Sequence, residues 1–131
     1  MKKLIRSLRQ AADFIEKNPD HYRWGIGMSA DPLKERCCPL CLTAYFLSPN
    51  RPNFRKYWVY WEIRDYLYNR GIAQEISCRV LGISFESFTE SAKLAVRVTR
   101  HMADRLEDKD FVRSTIATYG LGKVLQDRSQ S

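Results

Sequence analysis

Three of the four cysteines of this chain lie within the segment Cys37-Cys38-Pro39-Leu40-Cys41. Thiols at this density can bind a metal ion, act as nucleophiles, or pack as small apolar side chains. Proline is favoured at the first position of a helix, so Pro39 predicts that Cys38 is the N-cap of a helix that ends near Leu47. At that position the helix dipole would lower the pKa of the Cys38 thiol.

Zinc binding is one interpretation of this cluster. The spacing of Cys38 and Cys41 is that of one half of a zinc knuckle, and a structural zinc site needs four ligands. A second cysteine pair is missing from the chain, and Cys37 and His21 are further available donors. The candidate ligands are Cys38, Cys41, Cys78 and His101. We therefore predict a protein without a cofactor, with bound zinc as the alternative.

Nucleophilic catalysis by Cys38 is a second interpretation. It would need His21 or His101 as a general base, oriented by a carboxylate such as Asp20 or Asp104. No signature of a cysteine hydrolase surrounds Cys38. Because free cysteine is among the most often buried residue types, packing is the favoured interpretation. We therefore predict a protein that is not an enzyme and has no catalytic residues.

The chain of 131 residues has 44% hydrophobic and 28% charged residues, which is typical of one soluble globular domain. Apolar residues at helical spacing predict a first helix over 2–17, ended by Asn18-Pro19. Further helices are predicted from Pro39, over 53–69 and 73–81, from Ser84 or Ser87, and over 110–119. The sequence thus predicts an all-α fold: a single compact domain of five to six helices over 1–122, with little or no sheet and no internal repeat. A polar tail follows over 123–131.

The net charge of +7 is compatible with an anionic partner, such as nucleic acid, an acidic protein face or a membrane surface, and equally with a basic surface that only aids solubility. No apolar run approaches the roughly 18 residues of a membrane span, so no membrane partner is predicted. The N-terminus begins like a signal peptide, but Arg6, Arg9 and Asp13 interrupt it. We therefore predict a cytoplasmic protein.

The helix over 53–69 carries the strongest sequence indication of a binding surface. Its aromatic residues run consecutively over 57–61, so some rings must point away from the core. Exposed aromatic and basic side chains are typical of contact surfaces. The predicted partner-binding residues are Arg55, Lys56, Tyr57, Trp58, Tyr60, Trp61 and Arg64. The predicted partner is a protein or a nucleoprotein complex.

A helix-turn-helix that binds DNA is an alternative. The segment 73–84 has a small residue, Cys78, and a turn glycine, Gly82, where that motif needs them. A second helix from Ser84 to Arg97 would then contact nucleic acid, with Lys93 and Arg97 on phosphate groups. Acidic residues on its exposed face disfavour this interpretation, because they repel phosphate.

Three segments carry a resemblance: Trp24-Gly25-Ile26-Gly27, then Cys37-Cys38-Pro39-Leu40-Cys41-Leu42, then Ile83-Ser84-Phe85-Glu86-Ser87-Phe88. In order and rough spacing they resemble a group of small phage and bacterial proteins with a Cys-Cys-Leu-Gly-Val-Leu-Cys-like motif. Pro39 and Leu40 replace the Leu-Gly of that motif. The resemblance implies a phage or mobile-element accessory protein that binds host machinery, for example a defence-system inhibitor. It implies no role for any single residue.

Overall fold

The computed structural model describes residues 2–24, 31–47, 60–61, 63–64 and 90–108. This part of the chain is 78% helical and contains no strand, which confirms the all-α class. Three α-helices have defined bounds: α1 spans Lys2–Lys17, α2 spans Pro39–Leu47 and α3 spans Ala92–Glu107. The helices predicted over 73–81 and 110–119 and the tail over 123–131 lie outside the described residues. The count of five to six helices therefore stays a prediction.

The predicted bounds of α1 are confirmed. Its apolar side chains recur at helical spacing on one buried face, while its charged residues face solvent. At its end the Asn18 backbone N–H donates to the carbonyls of Phe14 and Ile15, and the Asn18 amide also donates to Phe14. Pro19 then begins a short 3₁₀ turn, Pro19–His21, because proline cannot continue the helix.

An isolated parallel β-bridge between Tyr22 and Cys37 connects α1 to α2. The Cys37 N–H donates to the His21 carbonyl, and the Arg23 N–H donates to the Cys37 carbonyl, both at 3.0 Å. A turn in which the Glu35 N–H donates to the Asp31 carbonyl at 2.8 Å precedes the bridge. The bridge thus fixes the entrance to α2 against the end of α1.

Helix α2 begins at Pro39 and ends at Leu47, as the sequence predicts. The helix is apolar on every side and nearly all of its residues are buried, which is the pattern of a central helix. The buried hydroxyl of Thr43 donates to the Pro39 carbonyl at 2.7 Å and is therefore satisfied within the helix.

Helix α3 begins later than the sequence predicts. Ser91 has an extended backbone and caps the helix, since its hydroxyl accepts from the Leu94 N–H at 3.3 Å. The prediction of one helix running from Ser84 or Ser87 through this position is therefore wrong, and the helical Glu90 belongs to the preceding segment. The buried face of α3 includes Ala95, Thr99, Met102 and Leu106.

Helices α1 and α3 pack against each other in antiparallel orientation. Arg9 of α1 bonds Glu107 and, at 2.9 Å, Asp104. Arg100 of α3 bonds Asp13 at 2.8 Å and Glu16 at 2.7 Å. Arg9, the earliest of these residues in α1, pairs with residues near the end of α3, and the later residues of α1 pair with an earlier residue of α3. The two helices therefore run in opposite directions. We call these four ion pairs the charge ladder.

The core lies between α1 and its two neighbours. Helix α1 packs extensively against both α2 and α3, whereas α2 and α3 have few contacts with each other. The helical residues Tyr60 and Ile63 complete this core and are fully buried. Among the helices that the structure describes, none is long and apolar enough to cross a membrane.

Candidate functional site

The cysteine cluster is buried, as the packing interpretation predicts. Cys37, Cys38 and Cys41 are 4%, 2% and 1% exposed. The Cys38 and Cys41 sulfurs lie 3.8 Å apart and share a thiol hydrogen bond. That hydrogen bond, together with burial, raises the pKa of the Cys38 thiol well above its ordinary value. The predicted lowering of this pKa by the helix dipole is therefore wrong, because desolvation and the thiol bond outweigh the dipole.

Cys37 lies beside a histidine, but the pair is not arranged for catalysis. His21 Nε2 is 2.6 Å from the Pro32 carbonyl oxygen, and the Cys37 sulfur is 3.4 Å from that oxygen and 3.7 Å from Nε2. A carbonyl oxygen only accepts, so the bond to Pro32 assigns a proton to Nε2. A nitrogen that already carries a proton cannot take one from the thiol. His21 also packs edge-on against Phe14, with ring centroids 4.9 Å apart, so its contacts are structural.

The remaining members of the predicted catalytic set are spread over the molecule. Asp104 accepts a hydrogen bond from Arg9 in the charge ladder. Among the described residues it forms no hydrogen bond with a histidine. His101 lies within α3 and is partly buried, whereas Asp20 is exposed in the 3₁₀ turn. The described geometry therefore gives Cys38 no activating base. That the protein is not an enzyme stays a prediction.

The geometry of Cys38 and Cys41 fits one edge of a zinc site. Tetrahedral zinc with bonds of about 2.3 Å to sulfur holds two thiolates about 3.8 Å apart, which matches the separation in this structure. In the part of the chain that the structure describes, no group of three or more His, Cys, Asp or Glu side chains could hold a metal ion. Cys78 lies outside the described residues, and His101 is on α3. Zinc binding stays the alternative interpretation of the cluster, and it would need two further ligands.

The predicted aromatic surface is partly corrected by the structure. Tyr60 is fully buried and cannot contact a partner, because its ring faces the core together with Ile63. Burial raises the pKa of Tyr60 above its ordinary value, and its hydroxyl accepts from Arg64 at 2.9 Å. Trp61 and Arg64 are partly exposed, with the guanidinium carbon 5.3 Å from the centre of the Trp61 ring. The other predicted members, Arg55, Lys56, Tyr57 and Trp58, lie outside the described residues.

A second basic feature lies where the end of α1 meets the start of α3. Lys93, Arg97 and Arg100 line an open surface cavity of about 350 Å³, together with Glu16 and Pro19. We call this cavity the basic cleft. Lys93 and Arg97 are exposed, and neither forms an ion pair with another residue that the structure describes. Arg100 differs, since the carboxylates of Asp13 and Glu16 hold its guanidinium.

The proposed recognition helix of a helix-turn-helix is not continuous. The extended backbone at Ser91 separates Lys93 and Arg97 from the segment that contains Ser84. Ser84 itself lies outside the described residues. The two cations therefore belong to α3, which packs along α1 in the core, and the prediction of one recognition helix from Ser84 to Arg97 is wrong.

No family model, no curated protein and no solved structure matches this chain. The resemblance to small phage and bacterial proteins is accordingly neither supported nor opposed by these comparisons. Functional conclusions therefore depend on the geometry of the described residues.

Arg9 and Arg100 belong to no motif noted in the sequence, yet they form the ion pairs that join the described helices α1 and α3. Both arginines are followed by aspartate four residues later and glutamate seven residues later. The signal was therefore present in the sequence. Its meaning depends on the antiparallel packing of the two helices, which periodicity within one helix does not reveal.

Proposed function

We propose that this chain is a non-enzymatic binding protein whose partner is a protein or nucleoprotein complex with a dense negative charge. The basic cleft is the observation that carries the proposal. It places Lys93 and Arg97 one helical turn apart, on an exposed surface, with no neutralising carboxylate bonded to either in the described residues. The net charge of +7 would attract such a partner over distances near the Debye length.

The two cations are suited to phosphate groups. An arginine fork donates two parallel hydrogen bonds to a phosphate or carboxylate, and lysine adds a compact positive charge. Arg100 supports the site in a different manner, because its ion pairs with α1 fix the floor of the cleft. Glu16 is held by that pairing, which limits its repulsion of an incoming anion.

A protein partner bound through the aromatic surface is the second candidate. The stacked pair of Trp61 and Arg64 favours it, because both side chains are partly exposed and such pairs are enriched in protein interfaces. The cytoplasmic location and the phage or mobile-element setting belong to the same proposal. The absence of a membrane-spanning helix among the described residues is consistent with the cytoplasmic location.

The proposal is tested with a charge-removal variant and a matched control. Lys93→Gln combined with Arg97→Gln removes the two cleft cations, while Arg23→Gln combined with Lys34→Gln removes two exposed cations between α1 and α2. Binding of a labelled random-sequence duplex and of polyglutamate is measured by fluorescence anisotropy at two salt concentrations. We expect the cleft variant to lose at least tenfold in affinity for an anionic probe and the control to lose much less. The proposal would be overturned if the wild-type protein bound neither the duplex nor polyglutamate.

The second candidate is distinguished by Arg64→Gln. If the partner is bound through the stacked pair, this variant weakens capture of the partner from a cell extract while duplex binding stays unchanged. If nuclease treatment of the extract abolishes capture, the partner is a nucleoprotein. If the Arg64 variant retains both partner capture and duplex binding, the aromatic surface is not part of the binding site.

A further inference from the structure

Helices α1 and α3 share one pattern of residues. When Lys2 is paired with Lys93 and the following residues are paired in step, six positions are identical. The identical pairs are Lys2 and Lys93, Arg6 and Arg97, Arg9 and Arg100, Ala12 and Ala103, Asp13 and Asp104, and Glu16 and Glu107. No internal repeat is evident along the chain as a whole, and this one becomes visible only when the two helices are aligned with each other.

Burial follows the same pairing without exception. Each of the seven buried positions of α1 corresponds to a buried position of α3, and each of the seven in α3 corresponds to one in α1. The first buried pair is Leu4 and Ala95, and the last is Ile15 and Leu106. Leu8 and Thr99 are the pair in the middle. The two helices therefore present equivalent faces to the core.

The charge ladder follows the pairing as well. Arg9 bonds Asp104 and Glu107, and its equivalent Arg100 bonds Asp13 and Glu16, which are the equivalents of those two carboxylates. Each contact therefore occurs twice with the roles of the helices exchanged. This reciprocity defines a local two-fold axis between α1 and α3, as in an isologous interface between two subunits.

The axis gives the two cations of the basic cleft an equivalent pair on α1. Lys2 and Arg6 occupy the positions that correspond to Lys93 and Arg97, and all four side chains are exposed. None of the four forms an ion pair with a described residue. For antiparallel helices the two-fold axis is perpendicular to the plane of the pair, so equivalent residues lie on the same side of that plane. Both cationic pairs therefore face the same solvent region.

We infer that Lys2 and Arg6 form a second phosphate-binding site equivalent to Lys93 and Arg97, and that both sites bind one nucleic-acid duplex. This inference rests on the proposed function and names the chemistry of its partner. The two backbone strands of a duplex are themselves related by two-fold axes, which a two-fold protein surface can match. A single strand or the acidic face of a monomeric protein offers no such symmetry.

The separation of the sites agrees with a duplex. The ladder register places Arg97 opposite the residues just after Glu16, about ten to thirteen residues beyond Arg6 along α1. At 1.5 Å per residue this separation is about 15–20 Å. The major groove is about 12 Å wide, and the long side chains of Arg6 and Arg97 can span the difference to reach phosphate groups on both of its edges.

The test compares the salt dependence of duplex binding in matched variants. The variants are K2Q/R6Q, K93Q/R97Q, the combination of all four changes, and the control R23Q/K34Q. Each phosphate contact contributes about 0.9 to the slope of log affinity against log salt concentration. We expect each double variant to reduce the magnitude of this slope by about 1.8 and the fourfold variant to reduce it by about 3.6. The control should reduce it by less than about 0.9. Circular dichroism of every variant verifies that the helices are retained.

The outcomes separate this inference from the proposed function. If K93Q/R97Q reduces the slope and K2Q/R6Q does not, the cleft binds an anion but the second site is wrong. If the wild-type protein binds polyglutamate or single-stranded DNA more tightly than duplex, a duplex partner is wrong while an anionic partner stands. If the wild-type protein binds none of these probes, the proposed function itself fails.

Discussion

At the scale of single residues, the thiols and His21 stabilise the fold and are not prepared for catalysis. The Cys38 and Cys41 thiols bond each other, and Cys37 and His21 both converge on the Pro32 carbonyl. A reactive thiol needs exposure and a lowered pKa, whereas the Cys38 thiol is buried and has a raised pKa. The cluster therefore acts as an anchor at the start of α2.

We predict that the cluster resists alkylation in the native protein. With iodoacetamide at pH 8, modification of Cys37, Cys38 and Cys41 should be at least tenfold slower than in the guanidinium-unfolded protein. The reason is that burial excludes the reagent, and the raised pKa of Cys38 keeps that thiol protonated. Peptide mass spectrometry assigns the modified residues. Rapid native labelling of Cys38 would contradict a purely structural cluster.

Zinc content is a second prediction at this scale. Because the Cys38 and Cys41 thiols are buried and bond each other, as in apolar packing, we expect the purified protein to contain well below one zinc per chain. A chelator should then leave the melting temperature unchanged. Stoichiometric zinc, together with a lower melting temperature after chelation, would contradict this prediction and implicate Cys78 or His101 as further ligands.

At the scale of elements, the cap at Ser91 determines where α3 begins, and the charge ladder determines how α3 pairs with α1. Ser91 caps α3, and the ladder joins its solvent side to α1. Every ladder side chain is more than a third exposed, so each pair adds modestly to stability and mainly sets register and direction.

The cap at Ser91 predicts a defined loss of stability. Ser91→Ala removes the acceptor for the Leu94 N–H and should lower the free energy of unfolding by about 1 kcal/mol. Ser91→Asp is the matched control, since aspartate also caps helices and should retain most of the stability. Urea titration followed by circular dichroism measures both variants. Equal stability of the alanine variant and the wild-type protein would contradict the cap.

The two-fold relation predicts equal effects of Arg9→Gln and Arg100→Gln. Each variant should lower the melting temperature by the same small amount, at most about 4 °C, because each removes one equivalent half of an exposed ladder. The difference from the wild-type protein should shrink in 1 M salt, which screens exposed pairs. A large effect of one variant without the other would contradict the equivalence.

The ladder also predicts a pH dependence. The hydrogen bond from Arg100 lowers the pKa of Glu16 below its ordinary value of 4.5. The stabilisation is therefore fully present above about pH 4.5 and is lost as the pH falls through the lower, folded-state pKa. The difference in melting temperature between the wild-type protein and Arg100→Gln should accordingly shrink below about pH 4. A difference that stays constant down to pH 3 would contradict this pairing.

At the scale of the whole molecule, α1 is the element on which the described core depends. It separates α2 from α3 and contacts both, so the three helices should unfold together. Leu8→Ala should lower the free energy of unfolding by about 2–5 kcal/mol, because Leu8 is fully buried. Gln10→Ala, an exposed neighbour, is the control and should change stability by less than about 0.5 kcal/mol. A loss below about 1 kcal/mol in the Leu8 variant would contradict a core centred on α1.

Local patterns in the sequence determined the bounds of α1 and α2 and the burial of the cysteines. Spacing of apolar residues and the positions of Pro19 and Pro39 act within a few residues, so one chain segment contains all the needed information. The same reasoning failed at Ser91, where a cap competed with a longer helical pattern. Tyr60 was also misplaced, because a run of aromatic residues does not reveal which ring faces the core.

The sequence by itself thus determined the all-α class, the basic charge and two of the three described helices. Only the tertiary structure decided the antiparallel pairing of α1 with α3, the reciprocal ladder of Arg9 and Arg100, and the basic cleft. It also decided that the thiol bond and burial outweigh the helix dipole at Cys38. The physical reason is that register and charge pairing depend on groups nearly a hundred residues apart, which meet only when the helices pack, and that burial of the thiols depends on the same packing.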